Sequence, residues 1–380
     1  MERIHSVTTQ LHLAHPHRGF APARSALSAV LLAGLCTAAT GGYTQINLVS
    51  DQTGAALHTD ARLVNSWGLA FNAEGLLYVA DNGTGLSTLY TPSGFPLPLS
   101  IQIPPPTGGM DTATPSGLVS NPGHAFVVTQ GAHSGSARFL FATEDGTISA
   151  WTPVVSISHA ILVVDNSASS TVYKGIAVLH TATGDRLYAT DFHNRKVDVF
   201  DGTFTPVQNA TAFVDSGLPS DYAPFGIREI GGLIVVTYAK QKPPDNHDDD
   251  AGPGHGFIDV FQPDGTMVKR LVTMGELNSP WGLAKAPAHF GAFSNALLVG
   301  NFGDGSIHAY DPSNGNLLGT LSDSTGAAIV IDGLWGLTFR PVPHDDEHPG
   351  QGVRLYFTAG PGGENHGLMG FIRTVGSSDD

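Results

Sequence analysis

Apolar residues in this chain come in short runs, and each run ends in a polar or Gly-rich turn. Runs of this kind, bounded by turn residues and rich in β-branched and aromatic side chains, predict strands. The pattern recurs six times. Each repeat opens with an aromatic or small residue, a Gly and an aliphatic: Ser66-Trp67-Gly68-Leu69, Pro115-Ser116-Gly117-Leu118, Tyr173-Lys174-Gly175-Ile176, Pro224-Phe225-Gly226-Ile227, Pro280-Trp281-Gly282-Leu283 and Leu334-Trp335-Gly336-Leu337. The six glycines lie roughly 50 to 58 residues apart, a spacing that suits the four-stranded blade of a β-propeller.

A second apolar run follows each opening, at residues 76–81, 139–144, 187–191, 233–238, 297–301 and 355–360, and a third strand follows in turn, as at 148–151, 197–200, 258–261 and 307–310. The pattern predicts an all-β fold, a six-bladed β-propeller. The innermost strands of such a ring crowd together at the axis, which explains a residue without Cβ at the same place in every repeat. The aromatic before it is expected to wedge between adjacent blades. Little chain remains for a fourth strand in the last blade, while residues 44–50 (Thr-Gln-Ile-Asn-Leu-Val-Ser) alternate like a strand ahead of the first repeat. The ring is therefore expected to be closed by an N-terminal strand, which removes an exposed edge.

The Trp-Gly-Leu and Phe-Gly-Ile openings, with turns such as Ala80-Asp81-Asn82-Gly83 and Gly300-Asn301-Phe302-Gly303-Asp304-Gly305, resemble the NHL-type six-bladed propellers. More narrowly, Phe141-Ala-Thr-Glu-Asp-Gly-Thr-Ile148, Tyr238-Ala-Lys-Gln241 and Glu364-Asn-His-Gly-Leu368 resemble an uncharacterised family of exported bacterial propeller proteins. That resemblance implies the fold over almost all of residues 41–375 and export, and brings no activity with it. Propellers host lactonases, lyases, dehydrogenases and binding platforms, so the fold does not choose among them.

The first forty residues change the picture of where the protein works. Arg3, Arg18 and Arg24 precede an apolar stretch from Ser25 to Cys36 and then Thr37-Ala38-Ala39. This is the order of a cleaved secretory signal peptide, and the apolar stretch is shorter than the roughly 20 residues of a membrane span. A bulky Leu35 before Cys36 argues against lipidation. The organisation expected is a signal peptide at 1–40, one propeller domain at 41–375 and a flexible tail at 376–380, in a secreted or periplasmic monomer with no membrane insertion. Cys36 is the one cysteine, so the mature chain has no disulfide and no thiolate. Loss of three Arg and one Glu with the leader takes the net charge of −15 to about −17, a field that disfavours nucleic acid.

In a propeller the turns after each second strand and the links into each first strand share one face around the axial funnel. Asn65, Asp81, Asn82, Glu144, Asp191, His193, Asn301, Asp304, Glu364 and His366 are placed there by topology. Glu144, Asp191, Asn301, Asp81 and Glu364 are the expected metal ligands. Their oxygens suit a divalent cation, calcium first, and a contribution from histidine suits zinc or another transition metal. Residues 240–256, with His247, Asp248, Asp249, Asp250 and His255, interrupt the fourth repeat as a second metal site or an acidic lid. The spacing is not that of an EF-hand. His344-Asp-Asp-Glu-His348 is read as a solvated turn on the opposite face.

No Gly-x-Ser-x-Gly elbow, phosphate loop or zinc-protease helix occurs. The catalytic expectation is metal-assisted hydrolysis, lactone opening or lyase chemistry on a small molecule or carbohydrate. His193 or His366 would move a proton, and Tyr238 and Lys240 would position or deprotonate the substrate. The alternative is a non-catalytic binding or scaffold propeller with a structural metal.

Overall fold

The computed structural model describes residues 42–181, 184–209, 211–341 and 353–376. The expected leader, the His344–His348 cluster and all but the first residue of the expected tail lie outside the described residues. Blade 1 runs from its innermost strand outward as Ser66–Phe71, Leu77–Asp81, Leu86–Tyr90 and Pro96–Gln102. Blade 2 is Pro115–Ser120, Phe139–Thr143, Thr147–Trp151 and Ile161–Asp165, with an added hairpin, Val127–Gln130 and His133–Ser136, after its first strand. Among the described residues blade 3 has three strands, Tyr173–Leu179, Arg186–Asp191 and Lys196–Asp201, with a single bridge from Phe200 to Pro206 beyond them. Blade 4 is Tyr222–Ile230, Leu233–Lys240, Phe257–Phe261 and Met267–Thr273, and blade 5 is Pro280–Lys285, Leu297–Asn301, Ile307–Tyr310 and Leu317–Thr320.

Blade 6 closes the ring as its short sequence requires. Leu334–Phe339, Leu355–Ala359 and Leu368–Thr374 are followed outward by Tyr43–Ser50, which runs antiparallel to the third strand with Tyr43 opposite Thr374 and Ser50 opposite Leu368. Each first strand touches the first strand of the next blade, and that of blade 6 touches that of blade 1. Between blades lie separate apolar clusters; one joins Leu69, Phe71 and Val79 of blade 1 to Tyr356, Met369 and Phe371 of blade 6.

The repeated glycine answers to that ring. A Cβ on Gly282 would stand 2.6 Å from the carbonyl oxygen of Trp335, and one on Gly336 would stand 2.5 Å from that of Trp67. Any side chain would push neighbouring blades apart. A threonine on the second strand then bolts the junction: Thr237 Oγ1 accepts from the Gly226 N–H at 2.8 Å and donates to the Pro280 carbonyl of the next blade at 2.6 Å. Thr190 and Thr358 repeat the arrangement toward Phe225 and Trp67.

The aromatic before the glycine does something other than wedge between neighbours. Register shifts interrupt the pairing of the first strand at this point in all six blades, and such a bulge re-aims the side chain. Trp67, Phe225, Trp281 and Trp335 therefore meet across the axis. Trp67 stacks on Trp335 with ring centroids 3.5 Å apart, Phe302 stacks on Trp335 at 4.0 Å, and Trp281 meets Trp67 edge-on at 6.0 Å. The channel is plugged by aromatic rings.

Candidate active site

At one of the six positions preceding the glycine stands a cation. Lys174 of blade 3 is buried against the plug, its Nζ 5.2 Å from the Trp67 ring and 5.9 Å from that of Phe192. A buried ammonium is costly unless paired. Its partner is Glu144, from the turn after the second strand of blade 2, and Asp248 of blade 4 stands 3.8 Å away. From there hydrogen bonds continue into blade 1: Asn82 Nδ2 donates to Glu144 Oε2 at 2.7 Å, Asn65 Nδ2 to Asn82 Oδ1 at 3.2 Å, and Trp67 Nε1 to Asn65 Oδ1 at 3.0 Å.

Glu364, from the turn after the second strand of blade 6, completes the mouth. Burial and the charge of Glu144 push its carboxyl up to about 7, against the opposing pull of Lys174. Its backbone sits in the left-handed region at φ 67°. That conformation costs a non-glycine residue about 1 kcal/mol and is found where surrounding structure enforces it. His247 and Asp248 share a 2.9 Å contact from Nδ1 to Oδ1. The contact raises the imidazole above its ordinary value and holds Asp248 down at about 2. Burial pushes Asp249 up.

The loop of blade 4 leans over this mouth from between the second and third strands, where the sequence placed it. Lys240 Nζ meets Asp250 Oδ2 at 2.9 Å at its base, and His255 Nδ1 lies 2.6 Å from the Asp250 carbonyl. His193 props it from blade 3, with Nδ1 2.8 Å from the carbonyl of Asp245. Lys240, Asp250, His255 and His193 thus build the loop rather than face the mouth.

Several candidates are spent within their own blades. Asp81 is fully buried and accepts from Ser66 Oγ and from the Thr88 N–H and Oγ1, and burial drives its carboxyl well above the usual range. Asp191 binds Thr171, Val172 and Asn194, and Asn301 donates to the Glu276 carbonyl at 2.7 Å. These residues end the second strand and tie the entering link to the blade, as Asp and Asn do in turns. Asp304 serves its own turn through Ser306. His366 contacts Asp51 Oδ2 through Nδ1 at 2.8 Å and so clasps the ring-closing N-terminal segment. Tyr238 is buried between blades 3 and 4 beside Phe213 and Phe261, away from the axis. Of the expected ligands, Glu144 and Glu364 reach the mouth, joined by His247 and Asp248. Lys174 escaped the sequence reading, although a lysine in a position otherwise held by aromatics and one serine was its signal.

Fold and mouth together define a closed six-bladed β-propeller with a plugged axis and a carboxylate-rich funnel on the strand-entry face. The chain belongs to a family that includes uncharacterised proteins of Acanthamoeba polyphaga mimivirus: one is 34% identical over 331 residues, covering 86% of this chain and 78% of the relative, and another 33% over 332 residues, covering 86% and 84%. These relatives are viral, whereas the sequence motifs resembled exported bacterial proteins. No family model matches. Among solved structures, Penicillium chrysogenum α-L-arabinanase complexed with arabinobiose aligns with a TM-score of 0.53 at 12% identity over 87% of this chain and 98% of that one. A Bacteroides thetaiotaomicron protein of unknown function gives 0.53 at 10% over 87% and 75%. A catalytically inactive Staphylococcus aureus virginiamycin B lyase with quinupristin gives 0.50 at 11% over 88% and 99%. These likenesses establish the propeller fold, one that carries hydrolases and lyases. Among the described residues no helix is long and apolar enough to cross a membrane.

Proposed function

We propose that the mouth is the active site of a hydrolase or lyase that uses general acid–base catalysis on a small polar molecule or carbohydrate. The observation that carries this reading is the pair Glu364 and Glu144, from the two blades that flank blade 1. One carboxyl is raised to about 7 by burial and by the other's charge, while the other is fixed by Lys174 and Asn82. Two carboxyl groups held in unlike environments divide the roles of acid and base. Glu364 carries a transferable proton near neutral pH, Glu144 accepts one, and Lys174 steadies the negative charge that develops between them. His247, drawn above its ordinary value by Asp248, is a second proton donor at the rim.

A divalent cation is the second reading, and one observation favours it: Glu144, His247 and Asp248 offer ligand atoms that all lie within 4.8 Å of one another. Three such ligands with open positions suit zinc better than calcium, which takes six to eight oxygens. Lys174 already holds one oxygen of Glu144, so an ion there competes with the ammonium. When bound, the ion would polarise a substrate oxygen or activate water.

The test is turnover of a panel of aryl glycosides, arabino-oligosaccharides and lactones by the purified protein, before and after chelation, alongside Glu364→Gln and Lys174→Met. Acid–base chemistry predicts activity that survives chelation and falls at least about a hundredfold in Glu364→Gln. Activity lost on chelation, with more metal retained by Lys174→Met, supports the metal reading. A panel with no turnover, or with turnover unchanged in Glu364→Gln, overturns the acid–base reading.

A further inference from the structure

The opposite end of the axis carries a second, chemically different space. Beneath the aromatic plug lies a cavity of about 310 Å³, walled by the inner strands after their glycines and reaching the links at Pro122, His180 and Pro341. Its volume is at the low end of the roughly 300–1,000 Å³ of small-molecule pockets. Each blade contributes a branched aliphatic side chain to the lining, Leu69, Leu118, Ile176, Ile227, Leu283 and Leu337, alongside polar groups.

Arg228 breaks the pattern. It is the second residue after the repeated glycine, where the other blades have Ala70, Val119, Ala177, Ala284 and Thr338. From blade 4 its guanidinium crosses to blade 6, donating through Nη1 to the Leu337 carbonyl at 2.9 Å and through Nη2 to Thr338 Oγ1 at 3.1 Å. Two of its five donors are used. Both acceptors are neutral, and among the described residues no carboxylate pairs with it. Of the other polar side chains in the lining, Glu229 Oε1 accepts from the Gly232 N–H at 2.7 Å, and His180 Nδ1 lies 3.1 Å from Asp185. Burial depresses the Arg228 guanidinium below its ordinary value, with the charge of Glu229 opposing. A half-buried guanidinium with free donors is a site for an anion, and the aliphatic side chains beside it suit an aliphatic body.

We propose that this lower axial cavity is a binding site for a small aliphatic monocarboxylate, held by the free donors of Arg228 and covered by the aliphatic walls. The site is separate from the upper mouth and does not depend on what that mouth does. Hexanoate is a suitable probe, with hexan-1-ol and hexylammonium as isosteric controls. Calorimetric titration of the whole purified protein is expected to show saturable binding of one hexanoate per chain, at least about tenfold tighter than either control. Arg228→Met, checked for its native β spectrum, is expected to lose that preference, Arg228→Lys to keep part of it, and Glu144→Gln at the upper mouth to keep all of it. Absence of saturable hexanoate binding by the wild-type protein overturns the proposal whatever the variants do. So does equal binding of hexan-1-ol, or undiminished binding by folded Arg228→Met.

Discussion

Buried charges decide much of this molecule's behaviour one residue at a time. Lys174 is tolerated because Glu144 and two aromatic faces attend it, whereas Asp259 is not so well served. It is fully buried on the third strand of blade 4, and burial together with the charge of Asp215 lifts its carboxyl to about 7, with Arg270 opposing. A carboxyl raised in the folded state means that the native protein binds more protons than the unfolded chain between about pH 4 and 7. Stability from this group is therefore full below pH 4 and declines as pH rises toward 7. Asp259→Asn is expected to abolish that decline and to be more stable than wild type above pH 7, which urea unfolding across the range will show. Parallel curves for the two proteins would rule the assignment out.

At the scale of elements, the junctions between blades rest on small residues and single hydroxyls. Thr237→Val keeps the shape of the side chain but leaves the Gly226 N–H and the Pro280 carbonyl without their partner in a buried junction. The expected loss is about 1–3 kcal/mol of unfolding free energy, read from denaturant midpoints at unchanged m-value; a loss below about 0.5 kcal/mol would show that the bolt is idle. The blades themselves were legible because glycine, apolar run and turn recur in fixed order, and the closing strand at Tyr43–Ser50 followed from a shortage of chain in blade 6. What stayed hidden was direction. Sequence puts Asp81, Asp191 and Asn301 at the ends of second strands, but only the structure shows them turned back into their own blades while Glu144 and Glu364 face the mouth. The bulges that aim Trp67 and Trp335 at the axis likewise leave no residue type behind to announce them.

For the whole molecule, closure of the ring is what turns six similar blades into one asymmetric site. Residues separated by most of the chain are brought together: Asn65 and Asn82 from blade 1, Glu144 from blade 2, Lys174 from blade 3, His247 and Asp248 from blade 4, and Glu364 from blade 6. The repeat supplies the positions, and departures from it supply the chemistry, lysine among aromatics above the plug and arginine among small residues below. The coupling of Glu144, Lys174 and Glu364 across three blades is read by a carboxyl carbon-13 NMR titration of Glu364 in the wild type, Glu144→Gln and Lys174→Met. The wild-type midpoint is expected at about 7, lower in Glu144→Gln, where a repelling charge is gone, and higher in Lys174→Met, where an attracting one is gone. A wild-type midpoint in the ordinary carboxyl range, or one that neither substitution moves, would show that the three groups are not coupled.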